Sequence, residues 1–318
     1  VVVEKDDMIN LLFSVANKLY GKNKALGGIV FKVNKLFVNL LYPWVQALNS
    51  QKGVDENSEI IVSLTTFPDR IRYVWMTIAS LLNQTLKPCK VVLWLAEEQF
   101  PDKNLPRQLT ELCKRGLEIR YCDDLKPHKK YFYTMQEWPE KYVLTCDDDM
   151  FYPENLIENL WKTAKQHPER IICNNSMQVT YDEKGDFIRR DQWIHENREM
   201  DGLQVCPVGC DGVLYPPGAL NEAAFDKEAL METALRQDDV WLKGMGVLNE
   251  TAAYNKGMYH HDFFNNMFTQ KSGLWKTNIV CEEEQYSPNE IAWMKMIERY
   301  PKIEELLKKD CKEEKMNE

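Results

Sequence analysis

The sequence predicts an α/β protein, a mostly parallel sheet with helices on its faces, and three observations predict it. Short apolar, β-favouring runs alternate with stretches of helical spacing between residues 60 and 122. The runs are apolar along most of their length, as strands buried on both faces are. A further run, residues 142–146, ends directly on three aspartates, at the strand end where ligands collect in such sheets.

In order, IIVSLTT (60–66) is the first strand. RIRYVWMTIASLLNQ (70–84) is a helix, because Ile71, Val74, Trp75, Ile78, Leu81 and Leu82 recur three and four residues apart. KVVLWLA (90–96), a helix near 105–115 and LEIRYC (117–122) complete a βαβαβ order. KPHKK (126–130) introduces a short helix. Lysines there oppose the helix dipole, so a phosphate would relieve Lys130, while Lys129 reads equally well as part of a solvated basic turn.

After the strand over 142–146, Pro153 suits the first turn of a helix over 154–167. IICNN (171–175) is a strand, and 177–190 is a hairpin turning at Lys184, Gly185 and Asp186. In PVGCDGVLYPPGAL (207–220), Gly209, Gly212 and Gly218 surround a strand-like VLY, and such glycines let a flat ring approach the backbone or simply turn the chain. RQDDVWLKGMG (236–246) opens a helix whose Val240, Trp241 and Leu242 face a core, with Asp238 as N-cap and Asp239 favouring the dipole. His260 and His261 lie in MYHHDFF, as satisfied partners or as metal ligands. The chain ends on a helix from Pro288, introduced by a Ser287-x-x-Glu290 capping box, and a charged tail expected to fray.

Three segments follow: a helical extension over 1–54, a main domain over 59–280 and a C-terminal helix with its tail over 287–318, with QKGVDENS (51–58) as a polar linker. Of 318 residues 44% are apolar and 28% charged, as in a globular protein with ample length for a core. Nine scattered cysteines with no CxxC pair support neither a zinc ribbon nor a disulfide framework; they read as small buried thiols of a reducing compartment. The net charge of −9 is uneven: residues 8–54 hold six lysines and no acid, residues 1–7 carry −2, and −13 is left for residues 55–318. An acidic body of this kind argues against nucleic acid as a principal partner.

The opening VVVEKDD has acids where a signal peptide needs bases, so no cleavable signal is expected. Residues 8–48 are rich in Leu, Phe, Val and Ile and end near Tyr42, Pro43 and Trp44. Lysines interrupt every window of roughly 20 residues that a spanning helix needs. Two readings stay open: helices lying peripherally in a membrane interface near anionic headgroups, or helices packing on the main domain or another subunit.

Asp147, Asp148 and Asp149 carry the chemistry. Adjacent carboxylates repel, and without a cation at least one stays protonated, so three in a row at a strand end invite a metal. Hard oxygen donors favour Mg²⁺ or Mn²⁺, which commonly reach proteins through one or two carboxylates plus substrate phosphates. A diphosphate-bearing substrate is implied. The alternative is a solvated acidic turn capping the next helix.

VSLTTFPDRIRYVWMTIASLLNQTLKPCKVVLWL, CDDDMFYP, GVLYPP and DDVWLK together resemble nucleotide-sugar glycosyltransferases of the GT-A fold, over roughly residues 59–270. The pattern is similar to bacterial glycosyltransferase family 2 enzymes, which build cell-surface polysaccharides such as capsule and lipopolysaccharide. The resemblance implies a DXD-type motif at 147–149, with Asp149 and Asp147 on the metal, His261 as a late metal ligand, and Thr65, Thr66, Arg70, Lys130, Asp147 and Asp148 at the nucleotide. It implies Asp239 as the general base of an inverting transfer, and Gly209, Asp211, Gly212, Asp238 and Trp241 near sugar or acceptor. It further implies a UDP-sugar donor, a glycan or lipid-linked acceptor and a cytoplasmic enzyme at the inner membrane face. The chain departs from the family at LWLAEE, which lacks a VDDGS segment, and at Cys210 and Asp211 inside the glycine loop. Two other readings remain: a metal-dependent phosphohydrolase of sugar nucleotides, which also needs clustered aspartates, and a non-catalytic nucleotide-sugar or glycan-binding scaffold.

Overall fold

Alternate residues of the first strand, β1 (Ile60–Thr65), go to opposite sides of a sheet, and this sorts the core into two layers. Ile60, Val62 and Leu64 pack with Val74, Ile78, Leu81 and Leu82 of one helix, whereas Ile61 packs with Val92 and Trp94 under another. The structure is a computed structural model and describes residue 15 and residues 18–48, 53–182, 187–196, 198–257, 264–269 and 286–317.

The helices in chain order are α1 (Lys24–Leu48), α2 (Val74–Leu82), α3 (Arg107–Glu111), α4 (Lys129–Glu137), α5 (Leu156–Ala164), α6 (Lys227–Ala234), α7 (Asp238–Leu248), α8 (Pro288–Arg299) and α9 (Lys302–Asn317). After β1 come β2 (Lys90–Ala96), β3 (Leu117–Cys122), β4 (Tyr142–Thr145), β5 (Met150–Phe151), β6 (Ile171–Cys173), β7 (Ser176–Gln178) and β8 (Ile194–Glu196). Then follow β9 (Glu199–Gly202), β10 (Val205–Pro207), β11 (Val213–Tyr215), β12 (Ala253–Lys256) and β13 (Phe264–Asn265). The main sheet runs β3-β2-β1-β4-β11-β6-β12-β9, parallel from β3 to β4 and mixed beyond, where β11 lies antiparallel between β4 and β6. This is the α/β architecture expected, a mostly parallel sheet flanked by helices. Register sets the site: Ser63 sits opposite Thr145, so the ends of β1 and β4 open side by side, Thr65 and Thr66 beside Asp147–Asp149.

α4 crosses the β1 and β2 face through buried hydroxyls. Ser63 Oγ donates to the Lys130 carbonyl, and the Trp94 indole N–H donates to Thr134 Oγ1 at 2.7 Å. β5 continues from the aspartates and pairs only with β13 among the described strands.

Several elements differ from expectation. α2 starts at Val74 rather than residue 70, because residues 67–73 turn instead: the Phe67 carbonyl accepts from the N–H groups of Arg70 and Ile71, at 3.0 and 3.1 Å. The helix expected over 105–115 divides into α3 and a 3₁₀ turn ending at Gly116, whose φ of 105° suits a residue without Cβ. α5 begins at Leu156, with the Pro153 carbonyl accepting from its N–H. α1 continues through Pro43 to Leu48, which nothing in the structure explains. Asp238 is the first residue of α7 and not its N-cap, a place taken by Gln237. Tyr181 and Phe187 bridge antiparallel, while the expected turn at Lys184, Gly185 and Asp186 lies outside the described residues.

The charged tail, expected to fray, is helical over Lys302–Asn317, and its first turns are packed. Ile303 and Leu307, four residues apart on α9, are fully buried against α7 and α8, each such side chain contributing roughly 1.5–3 kcal/mol. The Ser287 hydroxyl accepts from the Glu290 N–H, so the expected capping box forms its first half.

Candidate active site

A cleft of about 770 Å³ opens at the carboxyl ends of β1, β2 and β4. Thr65, Thr66, Arg70, Lys130 and all three aspartates line it, together with Asp238, Cys210, Lys126, Lys129, Arg236 and Asn265.

The aspartates differ in their partners. Asp148 turns into the protein: Thr66 Oγ1 and Arg70 Nη1 donate to its two oxygens, and Thr77 Oγ1 donates to its carbonyl at 3.0 Å. Arg70 forks, its Nη2 reaching Asp149 at 3.1 Å, and its guanidinium lies over the Phe67 ring. Burial alone would lower the Arg70 pKa, but Asp148 and Asp149 outweigh it and raise it. Asp149, by contrast, shares that one cation with Asp148. Burial and then the Asp148 charge push its carboxyl up to about 7. A group in that state favours an added cation. These partners differ from those of a solvated acidic turn.

Asp147 is the most exposed of the three, and the buried Lys130 ammonium donates to its Oδ1 at 2.8 Å. The same ammonium meets Asp238 Oδ2 at 2.8 Å. Lys130 therefore bridges the end of β4 to the start of α7, and its positive charge at the start of α4 is answered by carboxylates. Burial opposes that charge, and Asp147, Asp238 and Asp239 overcome it to raise the Lys130 pKa well above its usual value.

The acid pair is split by its surroundings. Burial would raise Asp238, but Lys130 and then His128 hold it low. Asp239 Oδ2 accepts the Gly209 N–H at 3.2 Å, and burial followed by the Asp238 charge pushes its carboxyl up to about 7. Asp238 lines the main cleft, while Asp239 lies behind it beside Tyr215 and Lys243. Gly209 fits there because it has no Cβ: an added one would stand 2.6 Å from Asp239 Oδ1.

Other residues of the glycine loop point elsewhere. Asp211 is fully buried, with its carbonyl accepting from Asn174 Nδ2 at 3.1 Å. Gly212, at φ 82°, packs toward Leu144 and Leu156. Trp241 is also fully buried, its indole N–H donating to the Ala224 carbonyl at 3.3 Å. These three were expected near sugar or acceptor, and they do not line the cleft; one turn beyond the acid pair, α7 has already entered the core. His260 and His261 lie outside the described residues.

Among the described residues no group of three or more His, Cys, Asp or Glu is gathered as a metal site. Asp147 and Asp149 both reach the cleft. Two carboxylates with room beside them fit a Mg²⁺ or Mn²⁺ completed by substrate oxygens, and do not make a cage of protein ligands alone.

No family model matches this chain, and no curated protein does. Among solved structures, it is similar to 4-diphosphocytidyl-2C-methyl-D-erythritol synthase at 10% identity over 52% of this chain and 77% of that one, with a TM-score of 0.33. It is similar to a mannosyltransferase from Pyrobaculum calidifontis in complex with GDP-Man and Mn²⁺ at 11% identity and TM-score 0.29, covering 54% of this chain and 48% of that one. For residues 1–349 of S. aureus TarS the values are 12% and 0.35, covering 62% and 59%.

Three residues without a sequence signal hold the cleft together. The Asp147 N–H donates to Tyr152 Oη, and Tyr152 donates onward to the Cys210 carbonyl, both at 2.9 Å, tying the aspartates to the glycine loop. The Asn266 N–H donates to the Asp149 carbonyl at 2.7 Å. Asn39 of α1 is 2% exposed; its amide accepts from the Met267 N–H at 2.8 Å and donates to the Asn265 carbonyl at 3.4 Å. Lys35, one turn earlier, is partly buried, which lowers its pKa, and the Asp149 charge opposes that shift. Tyr152, Asn266 and Asn39 join segments far apart in sequence, which periodicity does not register.

Proposed function

We propose that this protein is a glycosyltransferase that takes a sugar from a nucleoside-diphosphate donor and passes it, with inversion, to a hydroxyl of a glycan or lipid-linked acceptor. The observation that carries the reading is that Lys130 divides the acids of the cleft, with Asp147–Asp149 on one side and Asp238 on the other, and Asp239 next along the chain behind Asp238.

The donor side pairs carboxylates with cations, Arg70 with Asp148 and Asp149, and Lys126 and Lys129 with Asp124, all lining the cleft. A divalent ion held by Asp149 with Asp147 would neutralise charge on the departing diphosphate. Arg70 and Thr66 fix Asp148, which sets the aspartate loop against the nucleotide. On the acceptor side a hydroxyl must lose its proton as it attacks the anomeric carbon. The Lys130 ion pair makes Asp238 a weak base, whereas Asp239, raised to about 7, is matched to proton uptake near neutrality. A single displacement with base and leaving group on opposite faces inverts the anomeric centre.

A thermal-shift screen of UDP, GDP, CDP and dTDP, each with and without Mn²⁺, tests the reading on the native chain and on Asp149→Ala. A ligand of the folded state at a hundred times its Kd adds about 2.7 kcal/mol. The expected result is a rise with one nucleotide that needs both Mn²⁺ and Asp149. With that nucleotide's sugars, Asp239→Asn keeps donor binding and loses transfer. A chain that no nucleotide stabilises, or an Asp239→Asn variant that transfers at the native rate, overturns it.

A further inference from the structure

α1 has two faces. Inward, Val38 packs with Met76 and Phe151, and Asn39 holds the β13 segment. Outward, Leu26, Ile29, Val33, Leu36, Phe37 and Leu40 recur at three- and four-residue steps and are 41–60% exposed, an apolar ridge roughly four turns long. Scattered exposed apolar residues are ordinary, but a contiguous stripe of this length marks a contact surface.

The charges say what covers it. α1 carries no acid, and the exposed Lys18, Lys22, Lys24 and Lys32 stand around the stripe and its N-terminal end. Residues 8–54 contain six lysines and no acid, against −13 for residues 55–318. A second copy packed through the same ridge would bring lysine-rich helices face to face without an acid between them. An anionic headgroup layer supplies both complements, negative charge for the lysines and acyl chains for the stripe. No described helix is long and apolar enough to cross a membrane, so the ridge lies along a surface.

We propose that the outward face of α1 docks this protein on an anionic lipid bilayer. Since the inward face of the same helix holds Asn265 at the cleft, docking places the cleft within one helix diameter of the headgroups, about 10 Å. Vesicle binding reads the proposal directly, so it stands or falls separately from the glycosyltransferase reading.

The test is co-sedimentation of the full chain with vesicles of phosphatidylcholine alone, or with one-third phosphatidylglycerol, at low and high salt. Two variants accompany it, I29S/V33S/F37S on the ridge and K18A/K22A/K24A/K32A around it, all at exposed positions, with circular dichroism and light scattering on each. The native chain is expected to bind the anionic vesicles at least tenfold more tightly and to lose that preference in salt. The lysine variant loses roughly fivefold per charge at low salt, and the ridge variant binds neither vesicle. A native chain that stays in the supernatant with anionic vesicles overturns the proposal. So does a folded ridge variant that sediments like the native chain, or a native dimer that the ridge variant converts to monomer.

Discussion

Replacing Lys130 with methionine removes the ammonium that Asp147 and Asp238 share while keeping most of the side-chain volume. Taking one partner from a buried pair costs roughly 3–5 kcal/mol, because the remaining charge is left without its counter-ion. Asp147 is 35% exposed and water screens it, whereas Asp238 is 14% exposed, so the lower end applies, about 3 kcal/mol. At a urea slope of roughly 3 kcal/mol/M this moves the unfolding midpoint down by about 1 M. The loss is expected to be larger at pH 8 than at pH 5, where Asp238, no longer held low by Lys130, can take up a proton. Adding Asp238→Asn to Lys130→Met removes the stranded charge and should restore about half of the loss. Urea titrations followed by tryptophan fluorescence measure all four corners of the cycle. A Lys130→Met midpoint equal to the native one at pH 8, or an Asp238→Asn change that costs as much with Lys130 absent as present, would refute the shared-cation account.

Three further outcomes follow from the site. His128 is fully buried, its Nε2 hydrogen-bonded to the Ala234 carbonyl, and burial pushes its pKa down to about 4. The unfolded chain therefore takes up a proton near pH 6.5 that the folded chain refuses; this stability is complete above pH 6.5 and is lost as pH falls toward 4, by roughly 3 kcal/mol. Asp149 and Asp239, both raised, act in the opposite sense, so the slope is read as the difference between native chain and His128→Gln. Gly209→Ala puts a methyl against Asp239 and should reduce transfer on the order of 100-fold while costing only about 1–2 kcal/mol of stability, measured by initial rates and thermal melts. Arg70→Lys replaces a fork across Asp148 and Asp149 with a point charge, and a melt should show a loss of roughly 2 kcal/mol.

The parallel half of the sheet was legible because its strands are apolar on both faces and are separated by helical spacing. The three aspartates were legible because like charges crowded at a strand end require an explanation. Lys130 was placed at the site for a phosphate, and its observed partners are carboxylates, since the approach of α7 to β4 is a property of the packed fold. Trp241 beside two acids invites a sugar-platform reading, but three residues along a helix are enough to carry a side chain from cleft to core. In α9 the charge density of KIEELLKKD concealed Ile303 and Leu307, whose four-residue spacing is the helical signal. Tyr152, Asn39 and Asn266 act through hydrogen bonds to the backbone of other segments, which leave no periodicity to read.

Asn39 changes what counts as the smallest working version of this molecule. A boundary drawn at the polar stretch near residue 54 keeps every strand of the main sheet, yet it removes the side chain that accepts from Met267 and donates to Asn265. The chain segment beside Asp149 would then lose its outer support while its pairing with β5 remained. A chain cut at that boundary could keep the whole sheet and still lose the support that shapes one wall of the cleft.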